Sequence, residues 1–173
     1  MKIMLIFPPL TVSERYASKN VGDVGGYLPP LGLLYMAAVL ENSGHEVKVL
    51  DCPVNNYTID NVLRFIDEFQ PDWVGMAAVT VLINRVIELN KLIHEKFPKV
   101  KILIGGPHAT IRPKETSEQT GADIVITNEV EDVLVDILEN YDKKYKRIKI
   151  VEGKPVLNID RLPFPARHLI DMK

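Results

Sequence analysis

Five short apolar runs punctuate the chain: 2-KIMLIF-7, 46-EVKVL-50, 73-WVGMAAV-79, 100-VKILI-104 and 123-DIVIT-127. None alternates cleanly between apolar and polar positions. Parallel strands with both faces covered read this way. Between the runs the apolar spacing lengthens to three and four. Leu82, Val86, Leu89, Ile93 and Phe97 share one helical face. Val62, Ile66 and Phe69 form a second stripe, and Val130, Leu134 and Ile137 a third, with Val133 and Leu138 beside it. The stretch 31-LGLLYMAAVLEN-42 is apolar almost all round, which predicts a deeply buried helix.

Punctuation residues agree with these elements. Gly44 suits the left-handed position after the first helix. Thr58 can cap the second helix, and Pro71 bars its continuation. Pro98 closes the third; Pro113 and Gly121 bracket a short fourth. Asn128 followed by Glu131 predicts an N-cap with a capping-box acid.

Strand and helix alternate throughout, so the expected architecture is α/β. The specific expectation is a Rossmann-like or flavodoxin-like, doubly wound, five-stranded parallel sheet of order 2-1-3-4-5, occupying residues 1–140. The stretch 148-IKIVEGKPVL-157 predicts a small β-hairpin turning at Glu152-Gly153, within an extension covering 141–157. Residues 158–173 have two prolines and no period, and are expected to form an extended linker.

Composition narrows the functional classes. A chain of 173 residues, 46% apolar and 25% charged, can bury a core without staples. Its net charge of -2 gives no pull toward nucleic acid. No run reaches membrane-span length, and 2-KIMLIF-7 is too short for a signal peptide. A single cysteine, Cys52, excludes an internal disulfide and suits a cytoplasmic protein.

Open parallel sheets bind ligands beyond the C-terminal ends of their strands. Here that edge comprises Pro8 to Ser13, Ala78 to Asn84, Gly105 to Ile111 and Thr127 to Glu131. The Gly-x-Gly-x-x-Gly dinucleotide loop is absent, as are a Ser/Thr-rich phosphate loop, the acidic residues of a receiver domain and a Walker loop. What remains is Gly105-Gly106 at the end of an apolar strand. Such a pair serves either a tight turn or a ligand lying flat on the backbone.

In their order along the chain, several segments resemble the cobalamin-binding domain that precedes the radical domain in cobalamin-dependent radical S-adenosylmethionine proteins. They are 6-IFPPL-10, 25-GGYLPPLGLLYMAAVLENSGHEVKVLD-51, 71-PDWVGMAAVTV-81, 101-KILIGGPHAT-110 and 161-RLPFPAR-167. The resemblance implies that cobalamin lies over the sheet edge, with its nucleotide tail in a slot beside the strands. It places Pro8, Pro9 and Leu10 under the corrin. Thr80 and Val81 would contact the tail, and Gly105 and Gly106 would line the slot with Pro107 and His108 beside them. Glu129 would come from the fifth-strand loop. Tyr27 and Leu28 could reach over the corrin or form a lid packed on the sheet. No catalytic residue and no metal ligand is implied for this chain. The partner implied is a radical S-adenosylmethionine domain of the same full-length chain, with a [4Fe-4S] cluster and S-adenosylmethionine; no nucleic acid or membrane partner is implied.

Two departures qualify the picture. There is no Asp-x-His-x-x-Gly after the first strand, which fits base-off binding without a protein imidazole on cobalt. The Gly-Glu-Gly-Glu seen after the fifth strand in this class reads 128-NEVE-131 here, so Val130 would crowd a passing tail. These departures leave room for a different role, a vestigial cobalamin-type fold acting as a docking module. Another nucleotide-binding α/β domain is the third reading. Among single residues, His45 and Trp73 read as structural, His94 as exposed, and Cys52 as a small apolar residue. Gly106→Val is expected to cost cobalamin affinity with the fold intact.

Overall fold

The computed structural model describes residues 1–10 and 28–171. Six parallel strands form one sheet: β1 (Lys2–Phe7), β2 (Glu46–Asp51), β3 (Trp73–Ala77), β4 (Lys101–Gly105), β5 (Ile124–Thr127) and β6 (Ile150–Glu152). Their order is β2-β1-β3-β4-β5-β6, which is the expected 2-1-3-4-5 order with one strand added. The α-helices among the described residues are α1 (Leu31–Asn42), α2 (Ile59–Phe69), α3 (Ile83–Lys96), α4 (Pro107–Ile111), α5 (Pro113–Thr120) and α6 (Leu134–Glu139).

The helices bury most of the predicted stripes, although Phe69 and Phe97 are half-buried and Val130 and Val133 precede α6. Val62 and Ile66 of α2 and Val86, Leu89 and Ile93 of α3 pack on one sheet face, against Met4, Ile6, Val74, Met76, Ile102 and Ile104. On the other face, α1 and α6 cover Ile3, Leu5, Trp73, Leu103, Ile124 and Ile126. Helix ends follow the local chemistry. Thr58 caps α2 in a reciprocal box with Asn61, and Gly44 and Gly121 take left-handed φ values of 81° and 67°. Trp73 is buried, edge-on to Tyr141 at 5.0 Å between ring centres.

Three expectations need correction. Residues 148–157 are not a hairpin, because Ile150, Val151 and Glu152 pair in parallel with Val125, Ile126 and Thr127. The chain does not fold back at Gly153, whose N–H donates to Thr127 O and where any Cβ would collide with Glu129 O. The sheet therefore has six strands rather than five. Second, Asn128 does not cap a helix. It adopts a left-handed φ of 59°, and α6 begins six residues later, at Leu134. Asn tolerates that conformation, and the turn carries Glu129 to Glu131 over the sheet edge. Third, His94 is half-buried rather than exposed, on the helix that packs against the sheet.

The segment after Gly153 is docked along much of its length. Val156, Pro165 and Ala166 are buried, and Ala166 N–H donates to Leu34 O of α1 at 3.0 Å. Leu169 and Ile170 pack against the α1 side of the core.

Candidate functional site

The sheet register explains where space opens. Ile6, Met76, Ile104 and Val125 form a transverse row on the α2/α3 face, all large and fully buried. Continuing that register one residue along the strands, on the α1/α6 face, sets Phe7, Ala77, Gly105 and Ile126 side by side, with Ala77 and Gly105 paired directly. The centre of this row has no side chain larger than a methyl group. Below it, Gly75 sits between Leu5 and Leu103, and Leu5 Cδ2 crowds the place a Cβ would take, 2.7 Å from it. These small residues leave a cleft of about 280 Å³ at the C-terminal edge. One wall is the start of α1, from Pro30 to Met36; the other is the loop Asn128 to Glu131. The lining is mainly apolar, with the Glu129 and Glu131 side chains at the rim.

Gly105 and Gly106 play different parts. A Cβ at Gly105 would meet only Ile126 O, at an ordinary 3.7 Å, so the residue leaves space unused. A Cβ at Gly106 would lie 2.9 Å from Ala78 O, and its φ of 103° excludes other residues at low cost. Gly106 is therefore required by the turn. The expectation that Gly106→Val would spare the fold is wrong, because the added side chain collides with the Ala78 backbone.

The sequence-predicted residues divide into two sets. Gly105, Gly106, Pro107 and Glu129 line the cleft. Pro8, Pro9, Leu10, Thr80, Val81 and His108 do not. Pro8 and Pro9 are buried at the end of β1, and Leu10 and Val81 border a separate hollow with Arg85 and Glu88. His108 is buried, its Nδ1 3.1 Å from Thr80 Oγ1, and its backbone N–H donates to Ala78 O. Tyr27 lies outside the described residues, as do Thr11 to Ser13. Leu28 is exposed ahead of α1.

The sequence reading did not single out Gly75, Ala77, Phe7 or Ile126. Their signal was present in 73-WVGMA-77. Taken at a period of two, that stretch gives Trp73, Gly75 and Ala77 on one face, a steep fall in side-chain size toward the strand's end. Val130 does line the cleft, as the departure from Gly-Glu-Gly-Glu suggested. Glu131 accepts a hydrogen bond from Val130 N–H at 2.9 Å, and Glu129 accepts one from Val156 N–H at 2.5 Å.

The arrangement can bind but offers little acid-base chemistry. All four histidines of the chain are described, and none lines the cleft. Among the described residues no three His, Cys, Asp or Glu side chains come together to hold a metal ion. Cys52 is buried on the far face, where desolvation and the neighbouring Asp51 charge push its thiol up to about 12. Burial also raises Asp51 above the usual carboxylate range. Both stand at the outer strand, away from the cleft. Among the described residues no helix is long and apolar enough to cross a membrane.

The cleft is open to a ligand segment inserted between the start of α1 and the sheet edge. The B12 binding domain family matches residues 17–138. A Pyrococcus horikoshii protein named an uncharacterized methyltransferase is 29% identical over 187 aligned positions, covering 99% of this chain and 39% of its own length. The cytidylyl-2-hydroxyethylphosphonate methyltransferase of Streptomyces wedmorensis is 30% identical over 148 positions, 75% of this chain and 26% of its own. In fold, the chain resembles the cobalamin-dependent S-adenosylmethionine radical enzyme OxsB, solved with aqua-cobalamin and S-adenosylmethionine bound. The TM-score is 0.65 at 19% identity, over 85% of this chain and 19% of that one. The chain thus spans about two fifths or less of the curated relatives it matches. With most of its length inside the family match and the fold to go with it, this chain belongs to the B12-binding domain family.

Proposed function

We propose that this domain binds cobalamin base-off, with the nucleotide tail in the cleft beside Gly75, Ala77 and Gly105 and no protein histidine on cobalt. The observation that carries the reading is the hollow row Phe7–Ala77–Gly105–Ile126, where Gly105 leaves room that neither packing nor backbone conformation demands. Gly106 and Pro107 would shape the floor, and Glu129 would stand at the rim. Bound cobalamin supplies a cobalt centre able to carry a methyl group. The chain's own residues bind and orient it, exclude water from the tail, and keep imidazole away. In the longer protein we place a radical S-adenosylmethionine domain with its [4Fe-4S] cluster after this one, in a methyltransferase or cyclase. The methyltransferase and cyclase names of its relatives support the reaction type, and the radical S-adenosylmethionine enzyme that shares its fold supports the partner domain.

The test is a hydroxocobalamin titration followed by absorbance. Saturable binding with a base-off spectrum is expected. A histidine-ligated spectrum would contradict the cobalt assignment. No binding would favour a docking module that keeps the fold without the cofactor.

A further inference from the structure

We infer that the segment from Gly153 to His168 is a working part of the cleft, a strap tying its two walls together, with Glu129 as the positioning residue that pins it. The inference rests on the cobalamin reading above. On the first wall, Gly153 N–H donates to Thr127 O at 2.9 Å, and Glu129 Oε2 accepts from Val156 N–H at 2.5 Å. A Cβ on Gly153 would fall 1.9 Å from Glu129 O, so only glycine lets the strap lie this close. Arg161 then pairs with Asp132, just past the same loop. On the second wall, Ala166 is buried and donates to Leu34 O of α1 at 3.0 Å, and His168 reaches Glu41 at 3.1 Å.

The strap therefore crosses from the β5–α6 loop to α1, the two elements between which the tail would enter. A ligand in the cleft and a docked strap act on the same separation, so whatever factor one exerts on the other is returned, and a strap that holds the walls at the ligand's spacing favours binding. Glu129 has its carboxylate engaged by the strap, and this gives it a role the sequence did not suggest. It holds the wall, and through the wall the cleft, rather than serving as a free acceptor for the ligand.

The experiment combines limited trypsin digestion at Arg161–Leu162 with hydroxocobalamin titration, on the wild-type chain and on Glu129→Ala, Glu129→Gln and Asp132→Ala. Hydroxocobalamin is expected to slow cleavage of the wild type by at least about fivefold, the low end of coupling between sites. Asp132→Ala touches the strap but not the cleft, and it should speed cleavage and weaken hydroxocobalamin binding together. Glu129→Ala should do the same and speed cleavage without ligand. Glu129→Gln keeps an acceptor for Val156 N–H and should restore both readings. Cleavage indifferent to bound hydroxocobalamin, or an Asp132→Ala strap that is released while affinity stays unchanged, overturns the coupling alone. A wild type that binds no hydroxocobalamin overturns the cobalamin reading and the coupling with it.

Discussion

The two faces of the sheet end differently, although the same four strands build both. On the α2/α3 face, the last full row is Ile6, Met76, Ile104 and Val125, and no space remains. On the α1/α6 face, the next row is Phe7, Ala77, Gly105 and Ile126, with a hollow in the middle. A sequence selected for stability alone has every reason to fill both, since each buried methylene is worth about 0.8 kcal/mol. The unfilled face is where a ligand would make up the missing contacts. The neighbouring glycines make the same distinction at closer range. Gly106 is glycine because its backbone demands it, and Gly105 because of what is left open above it.

The largest way to break the comparison is Gly105→Phe, which puts a ring into the hollow without backbone conflict. Cobalamin affinity should fall at least about a thousandfold, on the order of 4 kcal/mol, with the melting temperature held or raised. Titration beside thermal unfolding checks it. Met76→Ala is the mirror change on the full face. It should cost about 3 kcal/mol in urea unfolding through the cavity it leaves, while affinity changes far less. Gly106→Ala should cost about 2 kcal/mol through backbone strain, so stability and affinity fall together in a way that separates it from Gly105.

An alkaline effect, separate from the sheet-edge comparison, draws on one buried group from each face. Cys52 is raised from 9.0 to about 12 by burial and then by Asp51. Tyr141 is raised from 10.0 to about 12 by burial and then by Asp123, which accepts its hydroxyl at 3.1 Å. The unfolded chain releases both protons sooner than the folded one. Their stabilising contribution is thus complete below pH 9.0 and is lost as the pH rises toward 12. Denaturation midpoints should fall over that window. Cys52→Ala should remove the part beginning near 9.0, and Tyr141→Phe the part beginning near 10.0.

Much of the sheet was legible because its signals are local. Apolar runs, caps at Thr58 and breaks at Gly44 and Gly121 need only neighbouring residues to act. The sixth strand was not legible, because three residues of β6 acquire their meaning from pairing with β5 across more than twenty intervening positions. The cleft was half legible. Gly105-Gly106 stood out as a pair, yet their opposite roles depend on where Ala78 and Ile126 lie in space. Gly75 was hidden inside a run read as uniformly apolar. The part of the strap from residue 158 onward read as an extended linker because prolines break periodicity whether a segment is loose or docked. Its anchors, Val156 and Ala166, are fixed by partners far away in sequence.

A crystal structure of the hydroxocobalamin complex tests the central claim most directly. The account predicts the nucleotide tail between α1 and the sheet, in van der Waals contact with Gly75 and Gly105, and no histidine on cobalt. A tail on the opposite side, beside Leu10 and Val81, or cobalamin bound with the cleft left empty, would contradict it.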